Sequence, residues 1–229
     1  TQKDLCLAHP KGGIMNIDVL SFGRLAYRVF EEVGQDARVV LDDEGKNLVL
    51  RKIAGECEKD LKVFKGNLKK QGYISEVKSV LSEFAQYGVD FERLDDFMKE
   101  VPPESYLHYK LDDIRTIYEK FEEYLSEKYI TKEEMLDVLS DAVPYSDILK
   151  GSVVAMDGFT GFTPVQNRLI GELFSVCEKV MITVTMDGRE NPYVYEHPYQ
   201  IFALGKQMVT SLMKIAGEKK TEIEEPICL

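Results

Sequence analysis

The sequence contains no tryptophan, only three histidines and only four cysteines. The cysteines lie far apart and form no CxxC pair, at Cys6, Cys57, Cys177 and Cys228. Because zinc and iron–sulfur sites use closely spaced ligand pairs, no metal site is expected in this segment. A disulfide framework is equally unexpected in so long and cysteine-poor a chain. We therefore expect reduced thiols and a cytoplasmic location.

Basic residues are scarce as well. The 29 Lys and Arg residues face 40 Asp and Glu residues, which gives a formal net charge of −11. Since Lys and Arg supply most non-specific affinity for phosphates, this balance argues against a dedicated nucleic-acid-binding domain. It leaves room for a local basic groove, or for DNA held jointly with a partner. The acidic pairs Asp42-Asp43, Asp95-Asp96 and Asp112-Asp113 are expected to be solvated helix starts and faces.

Several functional signals are also missing. No run approaches the roughly 20 apolar residues that a membrane helix needs, so no membrane contact is expected. Because no initiator Met stands at Thr1, we expect an excised piece of a longer polypeptide. A GxxxxGK[ST] phosphate loop is absent, since Gly45-Lys46 is followed by Asn47. The histidines are isolated from any Ser or Cys nucleophile, so no catalytic residue is assigned.

The first two-thirds of the chain combine one short strand with a long helical zone. Alternating apolar residues over Ile14–Leu20 predict a strand. Ser21 can then cap a helix that ends near Gly34. Residues 36–145 show helical spacing almost throughout, with a capping box at Thr131. This zone is interpreted either as an inserted domain that guides DNA or as a plain structural bundle.

The last third returns to alternating strands and helices. Val153–Met156 and Val180–Met186 are apolar strands, with a helix after Pro164 between them and a last helix around 200–216. Continuous apolar strands that alternate with helices are typical of a parallel sheet covered on both faces. The sequence therefore predicts one parallel α/β domain interrupted by a large helical insertion.

The carboxyl end of the first of these strands carries Asp157. In α/β sheets this edge binds ligands, and in P-loop NTPases an Asp there binds Mg²⁺. A following Glu usually orients the attacking water, but Gly158 fills that position. Hydrolysis would therefore lack its base. From the residues alone, a strand-terminal Asp that caps a turn remains an open alternative.

A second candidate site lies at the start of the first long helix. Its aromatic and basic side chains are Phe22, Arg24, Tyr27 and Arg28. Aromatic rings can stack on unpaired bases, and guanidinium groups can pair with phosphates or with a guanine edge. The alternative is that both rings lie in the core and that both arginines pair with Glu31 or Glu32.

Three segments resemble a known family. Residues 157–166, which read DGFTGFTPVQ, resemble the Walker B motif of superfamily-one helicases through Asp157, Phe159 and Gln166, with Gly158 in place of the acidic residue. The residue sequence of this segment strongly resembles that of the AddB/RexB family of bacterial ATP-dependent helicase–nuclease subunits. The helicase-like domain of that family has lost the acidic residue at this position in the same way. Residues 19–29 resemble that family's DNA-contacting strand-to-helix segment, and 180–187 resemble the next helicase strand without its expected Gln.

The resemblance implies a fold and a domain division. The fold would be α/β, a partial P-loop NTPase (RecA-like) parallel sheet of a superfamily-one-helicase-like domain with a large all-helical insertion. Residues 1–35 would be the first part of domain 1A, and 36–147 a helical, 1B-like insertion. Residues 148–229 would return to domain 1A and end in its C-terminal helix.

The resemblance also implies a function in the repair of DNA double-strand breaks by homologous recombination. This piece would bind single-stranded DNA, including Chi-type sequences, and an AddA-like motor subunit. The expected DNA contacts are Phe22, Arg24, Tyr27 and Arg28, followed by Phe159 and Phe162. ATP with Mg²⁺ and an iron–sulfur cluster would belong to the parent protein outside this segment, so no cofactor is expected here. Two alternatives stay open: a nucleotide-binding P-loop enzyme whose phosphate loop is truncated, and a helical scaffold that does not bind DNA.

Overall fold

The computed structural model describes residues 2–34, 38–68, 70–125 and 128–227. Its first helix, α1 (Gln2–Ala8), contributes no buried residue. The strand predicted over Ile14–Leu20 is wrong, because this segment pairs with no strand in the described part of the chain. Met15 is 98% exposed. A segment with alternating apolar residues forms a strand only where a neighbouring strand satisfies its backbone hydrogen-bonding groups. None of the described strands lies next to Ile14–Leu20.

The helix predicted after Ser21 is confirmed as α2 (Phe22–Val33). The Ser21 hydroxyl accepts a hydrogen bond from the Arg24 amide at 3.4 Å, so it caps the first turn. Gly34 ends the helix with φ of 70°, a left-handed conformation that favours glycine. The buried face of α2 consists of Ala26, Val29 and Phe30.

The central part of the chain folds mainly as helices around a first hydrophobic core. The helices are α3 (Asp43–Cys57), α4 (Gln71–Tyr87), α5 (Phe91–Glu100) and α6 (Tyr106–Leu125). The most deeply buried residues of the core include Leu50, Ile53, Leu94, Ile117 and Leu125. Pro102 and Pro103 separate α5 from α6, because proline cannot continue a helix.

A short parallel sheet also lies in this part of the chain. Strand β1 (Val39–Leu41) pairs with β2 (Tyr129–Thr131), with Val39 opposite Tyr129. The insertion expected to be all-helical therefore contains strand pairing, which is a correction. Strands of three residues are too short for a period of two to stand out, so the pattern did not reveal them.

Asp113 corrects the expectation that the acidic pairs are solvated. Its side chain on α6 is only 1% exposed. The carboxylate accepts backbone N–H hydrogen bonds from Lys62, Val63 and Phe64 at 2.8, 2.7 and 2.8 Å. A buried carboxylate is tolerated where such donors satisfy its oxygens. It therefore pins the segment after α3 onto α6.

The rest of the chain contains α7 (Lys132–Ala142), a 3-10 turn at Val143–Tyr145, β3 (Val153–Met156), α8 (Pro164–Val176), β4 (Lys179–Ile182) and α9 (Ala203–Lys219). Strands β3 and β4 pair in parallel, with Val153 opposite Lys179. β4 ends at Ile182, earlier than the expected Met186. The predicted α/β class is confirmed, with two small parallel sheets and helices.

A second hydrophobic core joins α2, α7, α8 and α9 to the β3–β4 sheet. Its centre is formed by Leu139, Leu169, Ile170 and Leu173. We call β3, β4, α8 and α9 the α/β layer. Helix α7 packs with this layer, although it lies inside the proposed insertion 36–147. The three-part domain division stays a prediction. Among the described residues, no helix is long and apolar enough to cross a membrane.

Candidate nucleic-acid interface

Three phenylalanine rings from distant parts of the chain form a surface cluster. The Phe22 and Phe159 centroids lie 5.7 Å apart, and those of Phe159 and Phe162 lie 4.9 Å apart. All three rings are half-buried and pack against the second core. Each ring therefore has one side fixed by packing and part of its surface open to solvent. We call Phe22, Phe159 and Phe162, together with Arg24 and Tyr27, the aromatic corner.

Local structure places each ring. Phe22 is the first residue of α2, directly after the Ser21 cap. Phe159 and Phe162 lie in the loop that joins the carboxyl end of β3 to α8. Thr163 ends this loop with a capping box, since its hydroxyl accepts from the Gln166 amide and its own amide donates to the Gln166 side chain. The loop is thus fixed at both ends.

The polar side chains of α2, the helix that begins with Phe22, face outward to solvent. Tyr27 is 57% exposed, and Arg24 is also exposed. The Arg24 guanidinium makes no ion pair with any described residue. Arg28 pairs with Asp18 at 2.7 Å, in a bridge whose two side chains are both about half-exposed. Within the described chain, α2 therefore offers a free cation at Arg24 and a partly neutralised one at Arg28.

The alternative pairing of these arginines with Glu31 or Glu32 is not found among the described residues. Glu32 instead accepts hydrogen bonds from the Ser146 hydroxyl at 2.5 Å and from the Ile148 amide at 2.9 Å. Nor do the aromatic residues lie together in the core, because Tyr27 is exposed. The burial that would favour a pure scaffold is therefore absent from this part of the chain.

Asp157 is engaged within the protein. Its carboxylate accepts a hydrogen bond from the Thr183 hydroxyl, which follows β4. The next residue, Gly158, has φ of 81°. Side chains with a Cβ rarely adopt this conformation, so a Glu would be strained there. The absence of a carboxylate after Asp157 thus agrees with the backbone geometry of the turn.

Two further residues of the helicase-like pattern also have structural partners. Gln166 serves as the third residue of the capping box of α8, so its amide oxygen is already engaged. Asp187, beyond β4, is bound by Arg189 through backbone and guanidinium donors, and these hydrogen bonds lower the Asp187 pKa. Within the described residues, no group of three or more His, Cys, Asp or Glu side chains could hold a metal ion.

The chain matches the family model described as "ADDB, N-terminal" over residues 1–229. It belongs to this family. It is 44% identical over 228 residues to the AddB subunit of the ATP-dependent helicase/deoxyribonuclease of Lachnoclostridium phytofermentans, covering 99% of this chain and 20% of that protein. The AddB subunits of Thermoanaerobacter sp. and Clostridium acetobutylicum are 35% and 33% identical over 215 and 220 residues, each covering 94% of this chain and 18% of the relative. The AddB resemblance is confirmed, and the chain spans about a fifth of the length of these relatives.

This AddB N-terminal segment contains a buried polar junction that sequence reasoning missed. Lys46 of α3 is 2% exposed and pairs with Glu133 of α7 at 2.6 Å, while its ammonium also donates to the Ser82 hydroxyl at 3.2 Å. Burial raises the Glu133 pKa, but the hydrogen bond and charge of Lys46 outweigh it, so this pKa is lowered. Burial and the nearby Glu134 raise the pKa of Glu122 to about 7.

The junction joins the two hydrophobic cores. Lys46 lies on α3, in the part of the chain formed by α3 to α6, which we call the helical part. Glu133 lies on α7, the helix that packs with the α/β layer. In the sequence, Lys46 was considered only as part of a Gly-Lys pair that does not match the GxxxxGK[ST] phosphate loop. Because α3 carries several other charged residues, the sequence does not distinguish Lys46 from a solvent-exposed lysine. Only the tertiary packing shows that this side chain is buried.

Proposed function

We propose that this chain is the DNA-contacting part of an AddB-type subunit in a helicase–nuclease that repairs double-strand breaks for homologous recombination. It binds single-stranded DNA at the aromatic corner, and this includes Chi-type sequence recognition. The relatives are named as subunits of an ATP-dependent helicase/deoxyribonuclease, which supports the parent complex.

One observation carries the DNA-binding proposal. The rings of Phe22 and Phe159 lie side by side with part of their surface open, and the helix that begins with Phe22 also carries the exposed Tyr27 and Arg24, which pairs with no described residue. Proteins hold single strands by stacking bases on aromatic rings and by pairing backbone phosphates with cations. The corner supplies both groups on a chain that is otherwise acidic, with a net charge of −11.

The α/β layer is proposed to be part of a RecA-like P-loop sheet that no longer hydrolyses nucleotide. Asp157 stands at the Mg²⁺-binding position of such a sheet, but Gly158 supplies no base and Asp157 is engaged by Thr183. These residues do not fit a hydrolytic ATP site. ATP use and the iron–sulfur cluster are assigned to other parts of the complex.

The same proposal includes a motor partner and a cytoplasmic location. Each relative is named as one subunit of a larger enzyme, which supports assembly with a further subunit, and we take this to be an AddA-like helicase. With a net charge of −11, this chain offers phosphates little attraction outside local sites such as the aromatic corner. We therefore expect the strand to be held between the aromatic corner and the motor protein.

Fluorescence anisotropy of a labelled single-stranded oligonucleotide at low salt tests the proposal. The protein should bind with an affinity that falls as salt rises, and a Phe22→Ala/Arg24→Ala double variant should lose most of this affinity. A Tyr145→Ala/Lys150→Ala double variant, at exposed positions after α7, is the matched control. Equal loss in both variants, or no binding by the folded wild type with its partner protein present, would contradict the proposal.

A further inference from the structure

A surface cavity of about 220 Å³ is lined in part by the cap and first turn of α8. It opens between the helical part and the α/β layer, and its walls include Gln86, Lys132, Leu136, Thr163, Val165 and Gln166. Thr163 directly follows Phe162 in the chain, so one wall of the cavity adjoins the end of the loop that carries this ring. Pockets that enclose a whole drug-sized ligand have about 300–1,000 Å³. This smaller cavity suits one flat heterocycle.

The walls of the cavity carry unused polar groups. Gln86 and Lys132 make no side-chain hydrogen bond or ion pair with any described residue. Gln166 uses its amide oxygen for the capping box, at 2.9 Å from the Thr163 nitrogen, and this leaves its amide NH₂ group as a donor. Leu136 and Val165 provide apolar surface between these groups. Polar groups that converge over apolar walls are typical of a ligand site.

The charge at the cavity favours a ligand that carries phosphate. Glu133 also lines it, but its carboxylate is held by the buried Lys46 ammonium at 2.6 Å. Among the described residues of the lining, that ion pair leaves Lys132 as the uncompensated charge. An anionic strand can therefore approach without meeting a free carboxylate in this wall.

We propose that this cavity receives one unstacked base of the single strand whose neighbouring bases stack on the aromatic corner. Gln86 and the Gln166 NH₂ group meet the polar edge of the base, and Lys132 meets its edge or its phosphate. Glutamine and lysine are side chains that read base edges, and single strands are recognised through bases splayed out of the stack. This inference rests on the proposed function and adds a base-specific subsite to it.

The test measures the affinity of the full-length protein, with its partner, for oligonucleotides that carry one abasic site at successive positions. Removing a base at the cavity position should weaken wild-type binding on the order of tenfold. The Gln86→Ala/Lys132→Ala double variant should lose sensitivity at that one position and keep it where bases stack on the aromatic corner. A Gln207→Ala/Lys214→Ala double variant on α9, outside the cavity lining, should behave as the wild type.

The outcomes separate the subsite from the proposed function. If the wild type binds but both double variants give the same abasic profile, the cavity holds no base and the inference is overturned, while DNA binding stands. If the wild type binds no oligonucleotide, the proposed function fails and the inference fails with it. Circular dichroism confirms that each variant remains folded.

Discussion

The rings of Phe22 and Phe159 lie 5.7 Å apart at an interplanar angle of 47°, although the whole helical part separates them in the sequence. The contact brings the start of α2 against the loop after β3. Two segments with separate resemblance to helicase motifs thus share one surface. The aromatic corner depends on this packing, because neither segment alone brings all three rings together.

Phe159→Ala should weaken single-stranded DNA binding. A base that stacks on an aromatic ring contributes about 1–3 kcal/mol, which corresponds to about 5- to 150-fold in affinity. Phe97→Ala is the matched control, because this ring on α5 is exposed and lies away from the aromatic corner. Anisotropy titrations at one salt concentration measure both. Equal affinities of the two variants would rule out stacking at Phe159.

Gly158→Glu should not restore ATP hydrolysis, although it recreates an acidic pair after β3. The substitution should instead lower the free energy of unfolding by about 1–3 kcal/mol, because a side chain at φ of 81° is strained. Gly55→Glu is the control, since this helical glycine has open space around it and an ordinary φ. Urea unfolding measures the change in stability, and phosphate release measures ATP hydrolysis. Release of phosphate by the Gly158→Glu variant would contradict our account of the site.

Asp113→Ala should destabilise the protein far more than Asp112→Ala. The first change leaves the buried amides of Val63 and Phe64 without their acceptor, and each unsatisfied donor costs about 1–3 kcal/mol. The second removes only an ion pair with Lys62 between partly exposed side chains, and solvent screening leaves such pairs with little effect on stability. Denaturant midpoints compare the two variants. Similar midpoints would show that the segment after α3 is not anchored through Asp113.

Glu122 should make stability depend on pH. Burial, followed by the charge of Glu134, raises its pKa from 4.5 to about 7 in the folded protein. Between these values the folded state binds more protons than the unfolded state, so stability falls as pH rises from about 4.5 through about 7. Glu122→Gln should remove this dependence and give a higher Tm than the wild type at pH 8.

The exposed neighbour provides the comparison for that pH series. Glu123→Gln changes the same charge on the same helix but at an exposed position. Its Tm should follow that of the wild type between pH 5 and pH 8. If both variants follow the wild type, Glu122 is ionised in the folded protein over this whole range and its burial has no effect on stability.

The sequence by itself determined the ends of several helices, one of the strands and the family. Ser21 and Gly34 predicted both ends of α2, Thr131 predicted the start of α7, and the apolar run Val153–Met156 predicted β3. Caps and periodicity depend on residues close together in the chain, so they can be read without the fold. The family resemblance was also found in a short stretch of sequence, the ten residues that begin at Asp157.

Tertiary structure alone decided which side chains are buried and which are paired. It left Ile14–Leu20 without a partner strand among the described residues, buried Asp113 and Lys46, and paired Arg28 with Asp18 rather than with an acid of its own helix. It also opened a cavity between α4, α7 and α8. Burial and ion pairing depend on contacts between residues far apart in the sequence, and a single sequence does not encode those contacts in any local pattern.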